Sequence, residues 1–151
     1  DKIVESSRPV LFPGNGVRLA GAAEDFHRLA EVLGVPVITG MSSVDAIESD
    51  HPYFVGRSGS TGTRPGNFAL QNSDLLLSIG NRQGFAQTGF QFQDWARESY
   101  TILNDIDENE LKKPSLHVSL PVCGDAGKLI RGLLKAAGDN RRGLHQYLCL
   151  L

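Results

Sequence analysis

"DLLLSIGNR", Asp74 to Arg82, sets three leucines, a serine and an isoleucine in a row and then stops at a glycine. The apolar run is strand-sized and far too short to cross a membrane. It is apolar at consecutive rather than alternate positions, so both of its faces need cover. Such strands belong to parallel sheets clad with helices on both sides. The glycine that ends it opens a polar loop, and in α/β proteins ligand loops sit at that end of a strand.

Working outward, four more segments read as strands. "RPVLFPGNG" gives a short buried strand from Pro9 to Phe12, stopped by Pro13 and glycine. "VPVITG" is β-branched, and "YTILNDID" and "LHVSLPVCG" supply the fourth and fifth. Helical patterns lie between them. Ala22, Phe26, Leu29, Ala30 and Leu33 recur at helical spacing, with Gly34 as the C-cap. "RPGNFALQNSD" predicts a helix with Pro65 near its start, and "QFQDWARES" a short one. "ENELKK" predicts one turn ended by Pro114, and "DAGKLIRGLLKAAG" a last amphipathic helix with Asp125 as its N-cap. "SVDAIESDHPYFVG" reads as irregular, with a turn at Asp50-His51-Pro52. Strands alternating with helices predict an α/β fold: a parallel sheet with helices on both faces.

Totals narrow the function classes. With 151 residues the chain is the size of one domain, and 40% apolar with 21% charged residues describes a globular protein. A net charge of -2, with scattered Lys and Arg, gives no footprint for nucleic acid or an anionic membrane. Two cysteines, Cys123 and Cys149, fit neither a disulfide framework nor a metal site, so a reducing, cytoplasmic home is expected. Asp1 to Arg8 is mostly polar or charged and does not read as a signal peptide. "RRGLHQYLCLL" ends on apolar residues without a cap, as a chain cut inside a longer polypeptide would.

Three constellations are candidates for a nucleotide site. "PGNGVRLAG" places Gly14, Gly16 and Gly21 after the first strand, where backbone N–H groups can approach a pyrophosphate. Its spacing is not GxGxxG, and Thr39-Gly40-Met41 stands where a dinucleotide site wants an acid. "NDID" sets Asp105 and Asp107 at a strand end, suited to ribose hydroxyls or to capping the next turn. "GNRQGFAQTG" puts Arg82 just past a strand, within reach of a phosphate. "SGSTGTRPGNFALQNSD", Ser58 to Asp74, is rich in phosphate-friendly groups and poor in acids and bases. Against these, catalytic signatures are missing. The four histidines are isolated, and no G-x-S-x-G and no P-loop lysine occurs. "GDAGK" is half of a thiamine-diphosphate metal motif whose third residue is Ala126.

The order "PVLFPGNGVRLAGA", "LAEVLGVPVITG", "DHPYFVGRSGSTGTRPGNFALQNSDLLLSIGNR", "TILNDIDENEL" and "PVCGDA" resembles the central domain of thiamine-diphosphate-dependent enzymes. The likeness is closest to the acetolactate synthase group, including relatives from surface-polysaccharide gene clusters, and covers Pro9 to Leu134. It implies a Rossmann-like three-layer sandwich with a parallel sheet of about six strands. It also implies residues 1–8 as a linker remnant, 9–138 as the domain, and 139–151 as the start of a linker to a C-terminal domain.

In that family the first domain supplies a catalytic glutamate, and the third binds thiamine diphosphate through Mg²⁺. The resemblance therefore implies a non-catalytic bridge whose partners are the N- and C-terminal domains of its own parent, a homodimer or homotetramer. Acetolactate synthase carries FAD on this domain, oxalyl-CoA decarboxylase carries ADP, and several decarboxylases carry neither. Carried over by position, a nucleotide would meet Gly14, Asn15, Gly16, Gly40, Met41, Gly59, Ser60, Thr61, Gly80 and Arg82. Asp105 and Ile106 would lie at the adenosine and Asp125 near the ribose. Gly84 and Ala86 stand where flavin-binding relatives have an acid and an arginine, and Ser60-Thr61 where they tend to have Met-His, which counts against FAD. The rival readings are a free-standing nucleotide-binding module and a small NAD(P)-dependent oxidoreductase. The missing acid after the second strand counts against the oxidoreductase.

Overall fold

The leucine run forms the second of two central strands. A computed structural model describes residues 2–139 of the chain, and the apolar tail beyond lies outside the described residues. In the first half, helical turn α1 (Lys2–Glu5) precedes strand β1 (Pro9–Pro13) and helices α2 (Asn15–Leu19) and α3 (Ala23–Leu33). Strands β2 (Val37–Thr39) and β3 (Phe54–Arg57) then lead to helix α4 (Arg64–Asn72). The second half runs β4 (Leu75–Ile79), α5 (Phe85–Thr88), β5 (Tyr100–Asp105), α6 (Glu108–Leu111), β6 (Leu120–Cys123) and α7 (Ala126–Asp139).

All six strands are parallel, in the order β3-β2-β1-β4-β5-β6. Successive side chains of a strand face opposite ways, which explains the unbroken apolar runs. Leu11, Val37, Leu75, Leu77 and Ile79 share one core with Phe26, Leu29 and Ala30 of α3 and Ile130 of α7. Val10, Phe12, Ile38 and Leu76 share the other with Leu70 of α4 and Trp95. The structure is the three-layer, Rossmann-like sandwich with six strands. No helix of the described residues is long and apolar enough to cross a membrane.

Helix boundaries follow local chemistry. Gly34 ends α3 in the left-handed region, its N–H donating to Ala30 O at 2.8 Å. Thr63 caps α4, its hydroxyl accepting from Gly66 N at 3.3 Å, with Pro65 in the first turn. Asp125 accepts from Lys128 N at 2.9 Å at the start of α7.

Three features differ from the sequence expectation. "YFVGR" forms a sixth strand at the sheet edge, half-buried and with a register shift against β2 between Val37 and Ile38. Two turns precede it, closed by His51 N to Glu48 O and Phe54 N to His51 O. "NGVRL" winds into the short helix α2 rather than a bare turn. "QFQDWARES" makes only a 3₁₀ turn, Phe92–Asp94.

The junction between β3 and α4 is unusually close. A Cβ on Gly66 would lie 2.5 Å from Arg57 C and 2.7 Å from Arg57 N. Gly66→Ala should therefore destabilise the chain by about 1–3 kcal/mol in urea unfolding, despite alanine's better helix propensity. Gly132→Ala on α7, where a Cβ meets nothing within 4 Å, should stabilise by about 0.5–1 kcal/mol. If Gly66→Ala also stabilised, the junction would not be as tight as described.

Candidate functional site

β1 and β4 lie side by side, but the chain leaves them in opposite directions across the sheet. Loops that diverge from adjacent parallel strands open a crevice at the carboxyl edge, the usual ligand position of such folds. Here the two loops first lock together. Gly14 N donates to Ile79 O at 2.8 Å and Gly16 N to Gly80 O at 2.9 Å. The backbones touch so closely that a Cβ on Gly14 would sit 2.5 Å from Asn81 Cα, and one on Gly16 2.7 Å from Gly80 Cα. Gly80 itself turns at φ +60°, open to glycine at no steric cost. These glycines are required by the seam between the two loops.

Next to the seam, Asn104 ties three strand ends together. Its side chain is 1% exposed. Its amide donates to Val122 O and Gly124 O, each at 2.9 Å, and its oxygen accepts from Gly80 N at 3.2 Å. The sequence reading singled out the neighbouring aspartates instead. Asp105 accepts from Asp107 N at 3.0 Å, and Asp107 caps α6 by accepting from Asn109 N at 2.9 Å.

Above the seam lies a cavity of about 660 Å³, within the range of small-molecule and cofactor pockets. Of the residues expected from sequence, Asn15, Gly16, Gly40, Met41 and Thr61 line it from one half of the sheet. Gly80, Arg82, Asp105, Ile106 and Asp125 line it from the other. Gly14, Gly59 and Ser60 are not in its wall. Gly14 sits in the seam. Gly59 exchanges two hydrogen bonds with the Asn67 amide, at 2.8 and 3.2 Å, and Ser60 N donates to Ala86 O at 2.9 Å. The polar loop from Ser58 is thus fastened to α4 and α5. Gln87 completes the fastening, donating to Ser58 Oγ at 2.7 Å.

Several wall residues were not anticipated: Leu19, Ser58, Asn81, Gln83 and Gln87 among them. Asn81, Gln83 and Gln87 stand in the same "GNRQGFAQTG" that supplied Arg82, so the motif pointed to them once its whole length is counted. Gln83 is 3% exposed, adopts φ +53° and donates to Ser78 Oγ at 2.7 Å. Gln83 Oε1 and Asn81 Nδ2 are buried without partners, behind the wall rather than open to the cavity. Each such atom costs about 1–3 kcal/mol.

Arg82 lines the cavity but is tethered at one end of its guanidinium. Its Nε lies 2.9 Å from Glu110 Oε1, and Glu110 Oε2 lies 2.9 Å from Lys113 Nζ. Lys113 also donates to the Arg82 carbonyl and, at 3.3 Å, to Gln83 O. α6 and the residues after it therefore clamp the loop that follows β4.

Fold and cavity together define a Rossmann-like domain with a crevice at its switch point. The chain belongs to the family described as "Thiamine pyrophosphate enzyme, central domain", whose model matches residues 1–133. It is 38% identical over 134 residues to a probable acetolactate synthase large subunit of Methanocaldococcus jannaschii, covering 89% of this chain and 22% of that protein. It is 36% identical to the counterpart in Methanococcus aeolicus, covering 88% of this chain and 22% of that one. With the acetolactate synthase isozyme 2 large subunit of Escherichia coli the identity is 32%, over 87% of this chain and 24% of the relative. The chain thus spans about a quarter or less of the length of these relatives.

Adjacent residues of "NDID" should separate in mutation. Asn104→Ala leaves the part-buried carbonyls of Val122 and Gly124 without this partner and should destabilise by about 1–3 kcal/mol. Asp105→Ala, on the cavity side, should change stability by less than about 1 kcal/mol. Chemical denaturation of both variants is the check, and equal losses would contradict the division of labour.

Proposed function

We propose that this chain is the non-catalytic bridging domain of a larger thiamine-diphosphate- and Mg²⁺-dependent enzyme of the acetolactate synthase or decarboxylase type. One observation carries the reading: nearly the whole chain matches relatives roughly four times its length, all described as acetolactate synthases. Its partners are then the N- and C-terminal domains of its own parent, with residues 1–8 and 139–151 as linkers. The parent is a homodimer or homotetramer in the cytoplasm.

The residues present support a bridge. Among the described residues no group of three or more His, Cys, Asp or Glu is placed to hold a metal ion. Asp125, the acid of the half-motif for thiamine diphosphate, serves as a helix cap instead. On this reading thiamine diphosphate and Mg²⁺ belong to the flanking domains. Near the cavity, Phe85 and Phe90 are 71% and 88% exposed, with ring centroids 5.8 Å apart. Paired aromatic rings this open to water favour cover by further protein.

FAD and ADP, the nucleotides that the resemblance attaches to this domain, suit the cavity at one end only. Asp105 and Asp125 are suited to ribose hydroxyls, and Leu19, Met41 and Ile106 to an aromatic ring. A diphosphate needs cations or free N–H groups, and Arg82 is already paired with Glu110. The residues do not fit the diphosphate.

The reading is tested by turnover. With pyruvate, thiamine diphosphate and Mg²⁺ the 151-residue chain should release neither acetolactate nor acetaldehyde above background. Turnover by the purified chain alone would overturn the bridging role.

A further inference from the structure

We infer that the switch-point cavity is a seat for an uncharged, nucleoside-like ligand and discriminates against nucleoside diphosphates. The inference rests on the bonding of the groups that a diphosphate would use.

Phosphates at Rossmann-like switch points are held by backbone N–H groups, helix starts and cations. Here the glycine amides, the long helix start and the cation all have partners within the fold. Around the cavity, the amides of Gly14, Gly16 and Gly124 donate to Ile79 O, Gly80 O and Asp105 O. Those of Gly40, Gly59 and Gly80 donate to Ser43 Oγ, Asn67 Oδ1 and Asn104. Among the described residues, α7 is the long helix whose start reaches the cavity, and the Asp125 carboxylate occupies its first turn. A helix start favours anions, but this one already has its own.

Charge points the same way. The wall contains Arg82 against Asp105 and Asp125. Glu110 holds the Arg82 Nε and is itself shared with Lys113, so the wall sets two carboxylates against one cation and an entering diphosphate meets a net negative surface. What remains favours a neutral ligand: three large apolar side chains, Leu19, Met41 and Ile106, exposed at 79%, 60% and 75% in one concave site. A flat heteroaromatic ring would cover them, and the two carboxylates accept hydrogen bonds from a sugar's hydroxyls.

The experiment is calorimetric titration of the 151-residue chain with two pairs, adenosine against ADP and riboflavin against FAD. The uncharged member of at least one pair should bind about tenfold more tightly than its diphosphate at low salt, and the gap should narrow as salt is raised. The double variant Asp105→Asn, Asp125→Asn should narrow the gap too, because asparagine preserves both turn-capping roles while removing the charges. A diphosphate that binds as tightly as its neutral partner in every pair that binds would overturn the inference. So would a gap that ignores salt and the double variant, or the absence of binding by all four. None of these outcomes bears on turnover, so the bridging role stands or falls separately.

Discussion

The contact on which the site depends is the backbone seam between the loops that leave β1 and β4. Two parallel strands at a switch point must send their loops apart, and the crevice exists because they do. In this chain the loops touch before parting, with Gly14 and Gly16 laid against Gly80 and hydrogen-bonded to it and to Ile79. The seam fixes the strand ends and the floor of the cavity. It also consumes the N–H groups that the same glycines would turn towards an anion. One geometry gives the cavity its shape and withholds its most obvious donors.

The outer ring of loops follows the same logic. Asn104 joins the ends of β4, β5 and β6 through a single buried side chain. Asn67 and Gln87 hold the Ser58 loop onto α4 and α5. Glu110 and Lys113 hold the Gln83 loop from outside. Polar residues that could serve a ligand serve neighbouring loops, as buried polar groups must find partners. The surface left over for a ligand is largely that of Leu19, Met41 and Ile106, edged by Asp105 and Asp125.

The sheet was legible where a residue's environment repeats locally. Three leucines in β4 announce cover on both faces, and Pro65 and Gly34 announce where helices begin and end. β3 was not legible. It is an edge strand of intermediate burial, contains Gly56 at φ +150° and shifts register against β2, so no apolar period survives in its four residues. The site was legible as a set of loops, because strand ends converge on one edge by topology alone. Its chemistry was not. The pairing of Arg82 with Glu110 joins residues on different elements, which spacing along the chain does not encode. Asn104 and Asp105 are neighbours in sequence, yet the pleat turns one into the sheet and the other towards the cavity.

"SGSTGTRPGNF" shows why composition overstates affinity for phosphate. Every feature of a phosphate cradle is present: glycines, hydroxyls, an arginine and a helix start. In the fold, Thr63 caps the helix, Gly66 lets the helix approach β3, and Gly59 and Asn67 bond each other. Donors and acceptors in nearly equal number within one loop satisfy one another first, because the entropy of bringing them together is already lost when the loop folds. A loop of this kind binds an anion only if folding leaves an excess of donors facing outward. Here Gly59, Thr63 and Asn67 are spent within the loop and its helix, and their work is to join a strand to a helix.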